Sequence, residues 1–253
     1  MTEPWMRQEG NGIRFDWGLA GARALGPDCA CLVVVDVLSF TTSVSVAVER
    51  GVRVVPRAWR ADAPEVSAEA GAVVARGRRA VTADHPWSLS PAALRRAPAI
   101  ERLILPSPNG SAISAAVEGI PVVAASLRNA TAVAEWIAGN GWGSADRPVA
   151  VIAAGEHWPD GRLRPAIEDQ LGAAAVIRAL AAHGGPLSAE ATLAIAGIDS
   201  ITDLPALVRS CASGRELTAA GFADDVRIAV EIDACGAVPV LVDGEFSDAR
   251  RGA

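Results

Sequence analysis

Two acidic features carry the strongest chemical signal. Asp36 closes a continuous apolar run over residues 30–35, so its carboxylate stands at the end of what reads as a strand buried on both faces. Glu168 and Asp169 sit side by side early in residues 165–182, where the only other polar side chains are Gln170 and Arg178. A helix that apolar is buried on most sides. Two carboxylates in its first turn either complement the helix dipole or serve a ligand. Together with Asp36 they suit a hard divalent cation such as Mg2+, which takes oxygen ligands, usually one or two carboxylates plus waters and substrate phosphate. Asp36, Glu168 and Asp169 are therefore the candidate metal ligands and the candidate catalytic groups.

The other half of such a site is a set of donors for anionic oxygen. Four loops, beginning at Asp36, Pro106, Ser126 and Ala154, each follow an apolar strand. The first carries Ser39, Thr41 and Thr42, the second Asn109, Gly110 and Ser111, and the third Arg128 and Asn129; all three enter helices. Helix N-termini present unpaired N–H groups and a partial positive charge, which suit phosphate or sulfonate oxygens. At any one entry, simple N-capping is the better account. Several polar entries on one sheet edge favour a binding crevice. Arg128 and Arg215 are the expected sources of positive charge.

The elements that position these groups alternate. Strands read at residues 30–36, 52–55, 103–105, 121–125 and 149–153. Helices read at 41–50, after Ser107, up to Ala138, and from Pro165 to about His183. Asp62, Pro64 and Glu65 read as a capped helix start. Gly51 and Gly184-Gly185 close helices. Asp224 to Asp233 reads as helical, and Val238 to Phe246 as two strand pieces about the hairpin dipeptide Asp243-Gly244. Alternation of this kind predicts a mostly parallel sheet covered on both faces, a three-layer α/β/α fold. If the strands are parallel, the four loops are neighbours at the strand C-termini, where open α/β sheets bind ligands. Residues 1–253 read as one domain, with 184–222 as a helical cover.

Composition removes several function classes. The net charge is −6 with scattered basic residues, which argues against a nucleic-acid surface. Every non-histidine basic residue is Arg, so Schiff-base chemistry and a P-loop lysine are excluded. Cys29, Cys31, Cys211 and Cys235 have no zinc spacing and read as reduced structural thiols. Cys211 precedes Arg215 by four residues, which fails the Cys-x5-Arg spacing of cysteine phosphatases. His157 either approaches the crevice as a general acid or is a surface-loop histidine. No apolar run is long enough to span a bilayer. A cytoplasmic protein with no membrane or nucleic-acid partner is expected.

In order and spacing, several motifs resemble the 2-phosphosulfolactate phosphatase family. They are Asp36-Val37-Leu38-Ser39-Phe40-Thr41-Thr42, Pro108-Asn109-Gly110-Ser111, the run from Ser126 through Asn129 to Ala134, Ala154-Gly155, Glu168-Asp169, Ser213-Gly214-Arg215-Glu216-Leu217, Asp224-Asp225-Val226 and Val238-Pro239-Val240-Leu241. The resemblance covers roughly residues 30–245 and is weak between 60 and 100. It departs from the family pattern at Ser39, where the family carries Arg, and at Gly77-Arg78-Arg79, where the family carries Gly-Glu-Arg. The resemblance implies a magnesium-dependent phosphatase acting on a small anionic phosphoester such as 2-phospho-3-sulfolactate, and a homodimer. The expected chemistry is direct phosphoryl transfer to a metal-activated water. Asp36 is ligand, base or nucleophile; the nucleophilic route ranks lower, because haloacid-dehalogenase phosphatases carry a second Asp where this chain has Leu38. The alternative is a non-catalytic or altered-specificity anion-binding paralogue.

Overall fold

The computed structural model describes residues 3–58 and 71–251; Asp62, Pro64 and Glu65 lie outside the described residues. In chain order the elements are β1 (Ile13–Trp17), α1 (Gly18–Leu25), β2 (Cys31–Val35), α2 (Phe40–Glu49), β3 (Arg53–Ala58), β4 (Ala72–Val74), α3 (Pro91–Arg96), β5 (Arg102–Ser107) and α4 (Gly110–Ser114). They continue with β6 (Val122–Ala125), α5 (Ala130–Gly139), β7 (Val149–Ala153), β8 (Glu156–His157), β9 (Leu163–Arg164), α6 (Ile167–Ala181), α7 (Ala189–Asp199), α8 (Leu204–Ser210), α9 (Ala212–Ala219), α10 (Ala223–Ala229), β10 (Pro239–Val242) and β11 (Glu245–Asp248).

Nine strands form one sheet in the order β1-β7-β2-β6-β10-β11-β3-β5-β4. Its central strands are apolar at every position because both faces are covered. In β2, Cys31, Val33 and Val35 face the layer of α5, α6 and α7, whereas Leu32 and Val34 face the layer of α2. The fold is three-layer α/β/α with mostly parallel pairing, as the alternation predicts. Residues 184–222 hold α7, α8 and α9. The helix after Ser107 runs only from Gly110 to Ser114.

The sheet is not one parallel array. β1, β7, β2 and β6 run together, and β3, β5 and β4 run together. The β10–β11 hairpin joins the groups by antiparallel pairing on both sides, so the two groups run in opposite directions along the ladder. The turn of this hairpin is Asp243-Gly244, with φ of 51° and 82°, as the dipeptide predicts.

Over the hairpin, and against strands of both groups, packs α2. Every residue from Phe40 to Val48 is buried. Its β-branched content is poor for a helix, so burial rather than propensity holds it. Three of its four hydroxyls are satisfied locally: Thr41 Oγ1 donates to the Asp36 carbonyl, Thr42 Oγ1 to that of Val37, and Ser45 Oγ to that of Thr42. Among the described residues no single helix is long and apolar enough to cross a membrane.

Candidate active site

Asp36 leaves the end of β2 with 6 % of its surface exposed. Its Oδ1 accepts the N–H of Phe40 at 3.1 Å, and its Oδ2 accepts the N–H of Gly110 at 3.0 Å. Two helix starts thus close on one carboxylate. This corrects the expectation that the N–H groups at Thr41 and Gly110 stand open for phosphate: Thr41 N–H bonds the Asp36 carbonyl, and Gly110 N–H bonds its carboxylate. A buried carboxylate claims donors first, because leaving it unpaired costs more than any bond it makes. Gly110 must be glycine, since a Cβ there would press on the Phe40 ring and stand 2.9 Å from Asp36 Oδ2.

Asp169 is bound the same way. Its Oδ1 accepts Val37 N–H at 2.7 Å and its Oδ2 accepts Gly155 N–H at 2.9 Å, so it ties the loop after β2 to the loop after β7. α6 comes this close because Gly172 lies flat on the sheet; a Cβ there would meet Val37 at 2.6 Å and Val35 at 2.8 Å. Glu168, 2 % exposed, accepts the Cys211 thiol at 3.1 Å through Oε2. Cys211 is thereby a neighbour of the acidic site as well as the N-cap of α9. Burial and the Glu168 charge push its thiol up to about 12, so it is a neutral donor.

A fourth carboxylate escaped the sequence reading. Glu156, on the short β8–β9 hairpin, accepts the Asn109 side-chain amide at 3.0 Å. Burial, the Asp36 charge and the Glu168 charge push it up to about 7, against the Asn109 hydrogen bond and Arg164. Burial likewise raises Asp36 to about 6, aided by Glu168 and opposed by its two N–H partners and Arg78. Asp169 is raised well above the carboxylate range by burial and by Asp36 and Glu168. Asp36, Glu156, Glu168 and Asp169 therefore form one electrostatic group, as the first, third and fourth were expected to.

The expected anion ligands divide. Ser39 is buried and its hydroxyl accepts Arg78 Nη2 at 2.7 Å, so the two departures from the family pattern touch one another. Ser111 Oγ is spent on the carbonyls of Ser107 and Arg57. Asn109 Oδ1 is buried and has no hydrogen-bond partner among the described residues. Arg128 is not an anion ligand here: it is 2 % exposed and donates to Ser45 Oγ, Glu49 and Glu231. Asn129 is likewise spent on Ser126 and on the carbonyls of Ala124 and Ala237. Arg215 is exposed on α9 and lines a groove with Arg209, Asp224 and Arg227.

Beside the carboxylates opens a cleft of about 250 Å³ between α1, α4 and the β8–β9 hairpin, walled by Trp17, Leu19, Asn109, Ile113, His157 and Leu163. Among the described residues, no Arg, Asp or Glu lines it. His157 is exposed at its rim.

A three-layer α/β/α fold with a buried carboxylate group at the ends of β2 and β7, flanked by an apolar cleft, defines an enzyme-like crevice of the open-sheet class. The family model for 2-phosphosulpholactate phosphatase matches residues 23–244. The chain belongs to that family, which places it among the phosphoric monoester hydrolases. No curated protein matched the sequence.

Proposed function

We propose that this chain is a magnesium-dependent phosphatase of a small anionic phosphoester, with 2-phospho-3-sulfolactate the first substrate to test. The observation that carries the reading is the crowding of acidic side chains at Asp36, Glu156 and Asp169, three carboxyls that burial and their acidic neighbours, Glu168 among them, drive toward protonation. Charge of that kind fits a cation.

Among the described residues no group of three His, Cys, Asp or Glu side chains is arranged to hold a metal ion. This does not oppose Mg2+, which needs only one or two carboxylates and fills its shell with waters and phosphate. Glu168 and Asp36 are the residues that would hold it, with Glu156 next to them; Asp169 also ties the loop after β2 to the loop after β7. When bound, Mg2+ would neutralise phosphate charge and lower the pKa of a coordinated water. Asp36, oriented from both sides by Phe40 and Gly110, keeps a second lone pair on each oxygen for a ligand or a proton. Asn109 Oδ1, at the cleft wall and without a hydrogen-bond partner among the described residues, accepts a donor from the substrate or from water. The cleft excludes water from the ester's organic part.

Phosphate release from a panel of small phosphoesters, with and without Mg2+, tests the reading. Metal-dependent turnover that Asp36→Asn and Glu168→Gln abolish is expected. Full activity in Asp36→Asn would remove every role given to that residue. An absence of turnover across the panel, with stabilisation by phosphate instead, would assign a binding paralogue.

A further inference from the structure

An anion does not approach four buried carboxylates without positive charge on the protein. The two arginines expected to supply it are elsewhere, Arg128 in a structural ion-pair network and Arg215 on an outer groove. We infer that Arg78, carried by the segment between β4 and α3, is the residue that binds the phosphoryl oxyanion of the substrate.

Its guanidinium is fixed from behind. Nε donates to Asp225 Oδ2 at 3.0 Å, Nη2 donates to Ser39 Oγ at 2.7 Å, and the plane lies 5.7 Å from the centre of the Phe222 ring. Asp225 is 1 % exposed and is itself held by Ser90 Oγ at 2.5 Å and Ala92 N–H at 3.1 Å. The anchor is held in place by Asp225 on α10 and by Ser39 and Phe222 at the starts of α2 and α10. Arg78 keeps 19 % of its side chain exposed, and its Nη1 makes no hydrogen bond among the described residues. Five donors in a planar fork, two of them spent behind and one edge open, match the way arginine holds phosphate oxygens. Arg78 stands by the loop that carries Asp36: its Nη2 bonds Ser39, which precedes Phe40, whose N–H rests on Asp36 Oδ1.

The inference rests on the phosphatase reading and is tested apart from it, by calorimetric titration of the Mg2+-loaded protein with inorganic phosphate. The variant is Arg78→Met with Asp225→Asn, which removes both halves of the ion pair and leaves no unpaired buried charge. Phosphate binding weaker by about ten- to a hundredfold is expected, the value of a charge-assisted hydrogen bond. Should that variant not fold, Arg78→Lys keeps the charge and loses the fork, and a several-fold weaker affinity is expected. Wild-type affinity in a folded double variant, or in Arg78→Lys where the double variant does not fold, overturns the inference. So does an absence of phosphate binding by the wild type. Arg78-dependent phosphate binding without turnover of any phosphoester would uphold it while removing the phosphatase reading.

Discussion

Gly110 donates its backbone N–H to the Asp36 carboxylate at 3.0 Å across a sequence separation of 74 residues. β2 and β5, the strands that deliver the two residues, belong to groups running in opposite directions along the ladder. The contact is closed by α2, which starts just after Asp36, packs against strands of both groups and sets its Phe40 ring against Gly110.

Gly110→Ala tests that closeness. A methyl group would collide with the Phe40 ring and stand 2.9 Å from Asp36 Oδ2. Overpacking of this kind costs about 1–3 kcal/mol. A lower urea midpoint is expected, with loss of turnover larger than the loss of stability explains, since the carboxylate must turn away from its donor. Urea unfolding and kcat measured on the same preparation separate the two.

The pH dependence of stability follows from the acidic group. Asp36 rises from 3.8 to about 6 and Glu156 from 4.5 to about 7, and Asp169 is also raised. For a carboxyl raised on folding, the folded state holds more protons than the unfolded one between the two values. Its stabilising contribution is complete below about pH 4 and is lost as pH rises through about 6 to 7. Glu231, lowered by Arg95, acts in the opposite sense and only below its ordinary 4.5. The melting temperature is therefore expected to fall by several degrees between about pH 5 and about pH 8. Mg2+ is expected to restore it at the higher pH and to act less at the lower. Scanning calorimetry at both values checks the sign; a melting temperature that rises with pH sinks the account.

The two arginines excluded from the site give a paired control. Arg128 bridges Glu49 and Glu231 from a buried position, while the two carboxylates keep 40 % and 28 % of their side chains exposed. Arg128→Met is expected to cost about 1–3 kcal/mol, less than a fully buried pair because water reaches the carboxylates left behind. KM is expected to stay unchanged. Arg215→Ala is expected to alter neither stability nor KM. A KM effect in either, seen in steady-state kinetics on a phosphoester the wild type turns over, would return that arginine to the site.

What the sequence showed and what it hid divide along a physical line. Asp36, Glu168 and Asp169 were legible because each ends or starts an element whose apolar run is unmistakable, and buried strand ends in such folds share an edge. Glu156 was hidden because it follows Gly155 in a stretch without periodicity; only the hairpin of Glu156–His157 against Leu163–Arg164 turns it toward Asn109. Arg128 misled for the opposite reason. Its place at a strand end is the expected one, but its side chain runs away from the crevice to pair with α2 and with Glu231. The reversed direction of β3, β5 and β4 was equally hidden, since local pattern carries no record of the direction in which distant strands pair.

The burial of α2 reaches beyond the site. Phe40 to Val48 have no side facing solvent, and the helix is held by strands from both halves of the chain. Its backbone amides have no local route to water. Deuterium enters them only when the sheet and the neighbouring helices part from α2, so this helix keeps the slow clock of the whole molecule: its exchange rate reads the free energy of complete unfolding, while the β8–β9 hairpin a short way off keeps a fast one.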